Sequence, residues 1–267
     1  MRGGLKGFLR DHLAPGLQVP VKYWYNMVRG EIEAEMALLP LLVRPGAHVV
    51  DVGGNRGIYA FKLRNLGARV EVFEPNPDCA ALLDRWAVNK SSVSIHAVAL
   101  SSSAGVAQLH VPVDEKGVAH DASGSLEMRA PGTHRDIDIP TRTLDSFGFD
   151  DIDLIKIDVE GHETEVIDGA RLTLKNSRPA LIVEIEQRHN RLPIATIINN
   201  VQDLGYRGFF LLEGRLTSVA LFEPGKHQSA EDFEAHRSAR YHNNFIFLSD
   251  ARIAAGDYDA LLAQVGD

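Results

Sequence analysis

Two short stretches and one isolated carboxylate concentrate the residues that could do chemistry. In Asp153 to Glu163 (DLIKIDVEGHE) an apolar run ends at Asp158, and Glu160, His162 and Glu163 follow within five positions. Carboxylates beside an imidazole can orient a substrate, hold a cation or move a proton near neutral pH. In Val49 to Gly57 (VVDVGGNRG) an apolar run closes at Asp51 and is followed by Gly53, Gly54, Asn55 and Gly57. Glycines so placed permit a tight turn in which the backbone comes close to a ligand. Glu74 ends the run Val70 to Glu74 (VEVFE). It stands about 20 residues past the glycines, where a carboxylate usually takes ribose hydroxyls.

The glycine turn suits S-adenosylmethionine better than a dinucleotide. A pyrophosphate site wants G-x-G-x-x-G leading into a helix N-terminus, and no such register fits Gly53-Gly54-Asn55-Arg56-Gly57. The carboxylate of Asp51, just before the turn, would repel a pyrophosphate but can hold a cationic cofactor. Two other classes stay open. A nicotinamide-dependent oxidoreductase is disfavoured by the missing motif. A non-catalytic module of the same fold is disfavoured by the intact acidic groups Asp51, Glu74 and Asp158.

These residues need a scaffold. Strand, glycine turn and helix (Ile58 to Leu66) make the start of an open α/β sheet, in which ligands sit beyond the carboxyl ends of the strands. Further on, Pro75-Asn76-Pro77 reads as a turn, Asp78 as the cap of a helix to about Asn89, and Val93 to Ala99 as a third strand. The end of that strand, AlaLeuSerSer, is expected near an adenine. Residues 107–111 and 136–139 alternate apolar and polar, predicting a hairpin that extends the sheet. The long loop Pro112 to Arg135 between them is read equally as a lid or as a surface loop. Leu154 to Ile157 is a buried strand whose Lys156 needs a carboxylate partner. Leu181 to Ile185 would set Glu184 and Glu186 beside Asp158, with His189 after them. A helix over Ile194 to Leu204, strands over Tyr206 to Leu212 and Asn243 to Leu248, and a short helical tail follow. At the start, Leu5, Phe8, Leu9 and Leu13 have helical spacing ended by Pro15 and Gly16. Tyr23 to Tyr25 reads as docking the arm on the core, and Glu31 to Val43 as one helix. The expected organisation is an N-terminal helical arm or cover (1–45), a cofactor-binding domain (46–250, with an insertion at 101–145) and a tail (251–267).

The chain has 267 residues, 45% hydrophobic and 24% charged, enough for one large α/β domain. A formal net charge of −8 with no basic stripe disfavours nucleic acid. The single Cys79 excludes an internal disulfide and a cysteine-rich metal site. No apolar run has the length of a membrane span and no secretory signal is visible, so a cytoplasmic protein without stable membrane insertion is expected.

The chain resembles the FkbM family of class I S-adenosylmethionine-dependent methyltransferases. The likeness is carried by VVDVGGNRG (49–57) with PheGluProAsn (73–76), by ThrArgThrLeuAspSer (141–146), and by IleLysIleAspValGluGlyHisGlu (155–163) with Gly169-Ala170. It spans roughly residues 31 to 248. The resemblance implies a Rossmann-like α/β fold with a mostly parallel seven-stranded sheet whose last strand is antiparallel. It implies methyl transfer mostly to oxygen, with sugar hydroxyls of glycolipids, polysaccharides or natural products as common acceptors. Residues 1–30 and 221–240 fall outside the likeness and are expected to choose the acceptor. Asp51, Gly53 and Asn55 would then surround the methionine part, Glu74 the ribose and Asn76 the ribose or adenine, with Gly57 also in the cofactor site. A hydroxyl acceptor must lose its proton, which favours His162 as base, with Asp158 or Glu160 taking the proton or orienting the base. In a competing scheme Asp158, Glu160 and Glu184 hold Mg²⁺.

Overall fold

The computed structural model describes residues 13–113, 124–127, 133–234 and 240–265. Its strands are β1 (His48–Val52), β2 (Arg69–Phe73), β3 (Val93–His96), β4 (Ala99–Leu100), β5 (Gly105–Pro112), β6 (His134–Arg142), β7 (Ile152–Ile157), β8 (Ala180–Glu184), β9 (Tyr206–Leu212), β10 (Arg215–Ser218) and β11 (Asn244–Ser249). The main sheet has the order β10-β9-β11-β8-β7-β1-β2-β3. From β3 to β8 all neighbours are parallel. β11 runs antiparallel to both β8 and β9. β1 lies between β2 and β7, so the chain winds outward from β1 in one direction and then returns to its other side. Such a reversal opens a crevice at the carboxyl ends of the strands.

The Val-rich β1, and β11, are buried throughout, and β8 is buried except at Glu184. That pattern suits strands covered on both faces. One face packs against helix Pro15–Arg29 through Val19 and Tyr23, helix Ile58–Asn65 through Tyr59 and Leu63, and helix Pro77–Ala87 through Leu83 and Trp86. The other packs against helices Glu163–Asp168, Arg171–Ser177 and Ile194–Gln202 through Val166, Ile167, Leu174, Ile197 and Val201. Tyr258 and Leu261, near the C-terminus, enter the same core as Val19 and Tyr23. No helix among the described residues is long and apolar enough to cross a membrane.

Several elements differ from the sequence reading. The main sheet has eight strands rather than seven, because Arg215–Ser218 folds back on β9 as an antiparallel edge. The hairpin over β5 and β6 forms, but it joins β4 in a separate three-stranded sheet instead of extending the main one. The strand expected over Val93 to Ala99 therefore breaks after His96, and Ala99 and Leu100 pair with β6. Pro15 starts a helix rather than ending one: its missing N–H costs nothing in the first turn, and the helix stops at Gly30 in a left-handed cap. Leu5, Phe8 and Leu9 lie outside the described residues. Glu31 to Val43 is not one helix but a 3-10 turn, Ala34–Ala37, followed by Leu39–Leu42, with Pro40 unable to donate across the join. Helix Pro77–Ala87 is capped by Asn76, whose Oδ1 accepts from the Asp78 N–H at 3.0 Å, rather than by Asp78. Of the long loop, residues 114–123 and 128–132 lie outside the described residues. The segment 124–127 is held by a bridge between His110 and Ser125 and by the Ser125 hydroxyl donating to the Glu160 carbonyl at 2.8 Å.

Starting at the amino ends of β1 and β2, a partly buried ionic network sets a pH dependence. Burial opposes charging of His48, but the facing carboxylates of Glu71 and Asp151 outweigh it and hold the ring above its ordinary 6.5. The Asp151 contact is 2.6 Å. Glu71, facing His48 and bonded to His96 at 2.8 Å, is held far below its ordinary 4.5. A raised histidine stabilises the fold fully below its unfolded pKa and loses that contribution as pH rises through its folded value. A depressed glutamate contributes above its unfolded pKa and loses it on acidification. The network is thus fully stabilising between about pH 4.5 and 6.5. His48→Gln should narrow its stability gap to the wild-type chain as pH rises from 6 to 9 in urea denaturation. A gap independent of pH would show a packing effect only.

Candidate functional site

The two motifs meet back to back. Gly53 has φ 80°, and a Cβ there would lie 1.8 Å from the Asp158 carbonyl oxygen. Only glycine lets the turn after β1 touch the turn after β7. The N–H groups of Gly53 and Gly54 donate to the Phe73 carbonyl, and that of Asp158 donates to Val52. This holds the ends of β1, β2 and β7 in one constellation.

Glu74, at the end of β2, is buried. One of its oxygens accepts from the Asn55 N–H at 2.6 Å and the other from the Asn76 N–H at 2.7 Å. The Asn76 amide nitrogen is buried with no hydrogen-bond partner. A cavity runs from Asn55, Glu74, Asn76, Ala99 and Leu100 at one end to Asp158, Glu160, His162 and Glu184 at the other. A second cavity, sharing Gly53, Asn55 and Asp158, is lined by Asp51, Lys156 and Tyr59, and also by Lys22 and Asn26 of helix Pro15–Arg29. The N-terminal segment therefore supplies wall as well as cover. Gly57 lines neither cavity. At φ 78° it starts helix Ile58–Asn65, and a Cβ there would meet Leu83 at 2.7 Å.

The carboxylates gather around one lysine. Carboxylate oxygens of Glu33, Asp158 and Glu184 lie within 4.8 Å of one another. The ammonium of Lys156, 1% exposed, sits 4.0 Å from Asp158 and donates to Asn244 Oδ1 at 3.1 Å. Burial pushes Asp51 up to about 7 against the pull of Lys156. Asp158 is pushed to about 7 for the same reason, although 31% of its side chain still opens to solvent. Burial drives Glu184 well above its ordinary value. Burial also opposes the charge on Lys156, but the surrounding carboxylates win and hold it above 10.5. The expected carboxylate partner of Lys156 is thus a group of carboxylates rather than one ion pair.

The metal set expected from sequence is not assembled as such. Asp158 and Glu184 come together, but Glu160 turns away to His189, at 2.6 Å, and Glu33 takes its place. The positive charge of that group is Lys156, so the donor set does not call for Mg²⁺. His162 lines the cavity but is only 7% exposed. Its Nδ1 contacts Glu127 at 2.8 Å and its Nε2 the Ser101 hydroxyl at 3.0 Å. Both ring nitrogens are engaged, so the expected base is tied into the wall in this arrangement. Sequence reasoning missed Glu33 and Glu127, because they reach the site across the fold and carry no spacing signal, and it placed Ser101 only within the AlaLeuSerSer expected near an adenine. It saw His189 only as a residue following Glu186.

The sequence profile of the methyltransferase FkbM domain matches residues 51–207. The 2-O-methyltransferase NoeI of Sinorhizobium fredii is 26% identical over 213 residues, covering 72% of this chain and 87% of NoeI. Among solved structures, a methyltransferase FkbM from Methylobacillus flagellatus is similar at 16% identity with a TM-score of 0.47. That match covers 76% of this chain and 43% of the other, so the chain spans less than half the length of that relative. A TehB-like SAM-dependent methyltransferase from Corynebacterium glutamicum is 14% identical with a TM-score of 0.43, covering 86% of this chain and 95% of the other. With the profile spanning more than half of the residues, from the strand before the glycine turn to the start of β9, the chain belongs to the FkbM methyltransferase family.

Proposed function

We propose that this methyltransferase uses S-adenosylmethionine and methylates a hydroxyl group, with a sugar or glycan as the acceptor class. The observation that carries the reading is Glu74, held by two backbone N–H groups in the same cavity as the unpartnered Asn76 amide and the carboxylate of Asp158. Glu74 would take the ribose hydroxyls, Asn76 would donate to the ribose or adenine, and Ala99 and Leu100 would form the apolar adenine wall. Asp51, Gly53 and Asn55 would surround the methionine part. The cofactor, when bound, supplies a methyl group already activated on a sulfonium. The chain's remaining work is to align the acceptor and to accept its proton. Oxygen as the acceptor atom is supported by the relative named as a 2-O-methyltransferase. The sugar class rests on the family resemblance.

Asp51 and Asp158, both near 7, give the reading a signature. A cationic ligand binds their ionised forms, so affinity should rise with pH through that region. Calorimetry with S-adenosylmethionine should show severalfold tighter binding at pH 8 than at pH 6, with proton release at the lower pH. Formation of S-adenosylhomocysteine in the presence of a panel of methyl glycosides would establish the acceptor. No binding of either adenosyl compound at either pH would overturn the reading.

A further inference from the structure

The turns after β7 and β8 are joined at Glu160 and His189, a pairing that the sequence does not foresee. The Glu160 carboxylate lies 2.6 Å from His189 Nδ1, with the two side chains 22% and 18% exposed. The backbone holds them there. Glu160 is left-handed at φ 51°, and Gly161 follows at φ 101°. A Cβ on Gly161 would come 2.4 Å from the His189 carbonyl oxygen, so the histidine backbone rests directly on that glycine. Below them, Glu163 is fully buried and ties the two turns together. It accepts from the Gly161 N–H at 2.8 Å and from the Asn190 amide at 3.0 Å, while Asn190 also donates to the Glu186 carbonyl at 3.1 Å.

This geometry selects a tautomer. With Nδ1 at ion-pair distance from the Glu160 carboxylate, a proton on Nδ1 is favoured electrostatically over a lone pair there, which leaves the lone pair of the neutral ring on Nε2. Unlike the nitrogens of His162, His189 Nε2 has no partner among the described residues, and it is not buried. Glu160 itself lines the cofactor cavity beside Asp158, and His189 meets it from the turn after β8. Building on the function proposed above, we propose that His189 is the general base for the acceptor hydroxyl and that Glu160 is its positioning residue. The acceptor O–H bond breaks and its proton passes to His189 Nε2. The freed oxygen electron pair forms the new O–CH₃ bond as the S–CH₃ bond breaks. The sulfur keeps that bonding pair as a neutral thioether. Glu160 stabilises the imidazolium until it returns the proton to water. The charged groups around the dyad are Asp158 and Glu163, which feel Glu160, together with Arg188 and Glu186, themselves an ion pair on the same turn.

The test compares the wild-type chain, His189→Ala, His162→Ala and Glu160→Gln, using the methyl glycoside that the wild-type chain methylates fastest. For His189→Ala, turnover should fall on the order of 10²- to 10⁴-fold, with the Kd for S-adenosylhomocysteine unchanged within about twofold. The acidic limb of its kcat–pH profile should disappear. Glu160→Gln should lower kcat by a smaller factor and leave the KM for the acceptor unchanged within about twofold. His162→Ala should retain the limb. Independently of any acceptor, long-range ¹⁵N NMR at pH 8 should show His189 as the Nδ1–H tautomer, and this preference should weaken in Glu160→Gln. Full turnover or a persisting acidic limb in His189→Ala would overturn the proposal, as would an Nε2–H tautomer. If the wild-type chain binds no S-adenosylhomocysteine, it is the cofactor reading that fails, and the tautomer result still decides the dyad.

Discussion

Lys156→Met will cost about 3–5 kcal/mol of folding stability at pH 8, the penalty typical of removing one partner from a buried charge pair. Methionine keeps an unbranched side chain of comparable length, so the loss isolates the charge. The ammonium is 1% exposed, and Asp51, Asp158, Glu33 and Glu184 all act on it. Without it these acids stand against one another, and the folded pKa values of Asp51, Asp158 and Glu184 rise further. A carboxylate whose folded pKa is raised destabilises the fold above its unfolded pKa, by about 1.36 kcal/mol per unit of pH, until pH passes the folded value. The penalty should therefore be much smaller at pH 5, where Asp51 and Asp158 are already protonated in the fold. Urea denaturation at the two pH values reads this directly. Equal losses at both would assign the effect to packing, and no loss would show that Lys156 does not balance the cluster.

Replacing Glu74 should remove most of the cofactor affinity while leaving the chain folded. A hydrogen bond to a charged group contributes about 1.5–3 kcal/mol, so losing the proposed ribose contact corresponds to a roughly 10- to 100-fold rise in Kd for S-adenosylhomocysteine. Glu74→Gln is the sharper variant. Its amide can accept from only one of the Asn55 and Asn76 N–H groups, and its NH₂ must face the other, donor against donor. The isosteric change should thus weaken binding nearly as much as Glu74→Ala. Calorimetry paired with a melting curve separates the roles. A lowered Tm with unchanged Kd would make Glu74 a latch for the glycine turn and nothing more.

These two residues show where sequence was informative. Glu74 was legible because its position is local: a carboxylate ending the strand after a glycine turn keeps the same relation to that turn wherever the strands are adjacent. Lys156 was legible as a problem, since a lysine inside an apolar run demands compensation, but its partners were not. Glu33 comes from the N-terminal segment and Glu184 from β8, and no spacing links them to β7. The same holds for His162. Its position after Asp158 made it the natural base, while Glu127 and Ser101, which engage both its nitrogens, come from the insertion over 101–145. The misread elements have a related cause. The apolar run at 93–99 suits one strand by pattern, yet Ala99 and Leu100 leave to pair with β6, which is a choice of partner that pattern does not encode.

By itself the sequence determined the α/β class, the glycine turn, the acidic strand ends and hence the edge of the sheet at which chemistry is placed. These follow from residue type and short-range spacing, which act before any long-range contact forms. Only the tertiary structure decided which carboxylates share Lys156, that Glu160 faces His189 instead of a metal cluster, and that His162 is bound into the wall. Those outcomes depend on contacts between segments far apart in the chain, where burial and the need to pair each charge select the partner.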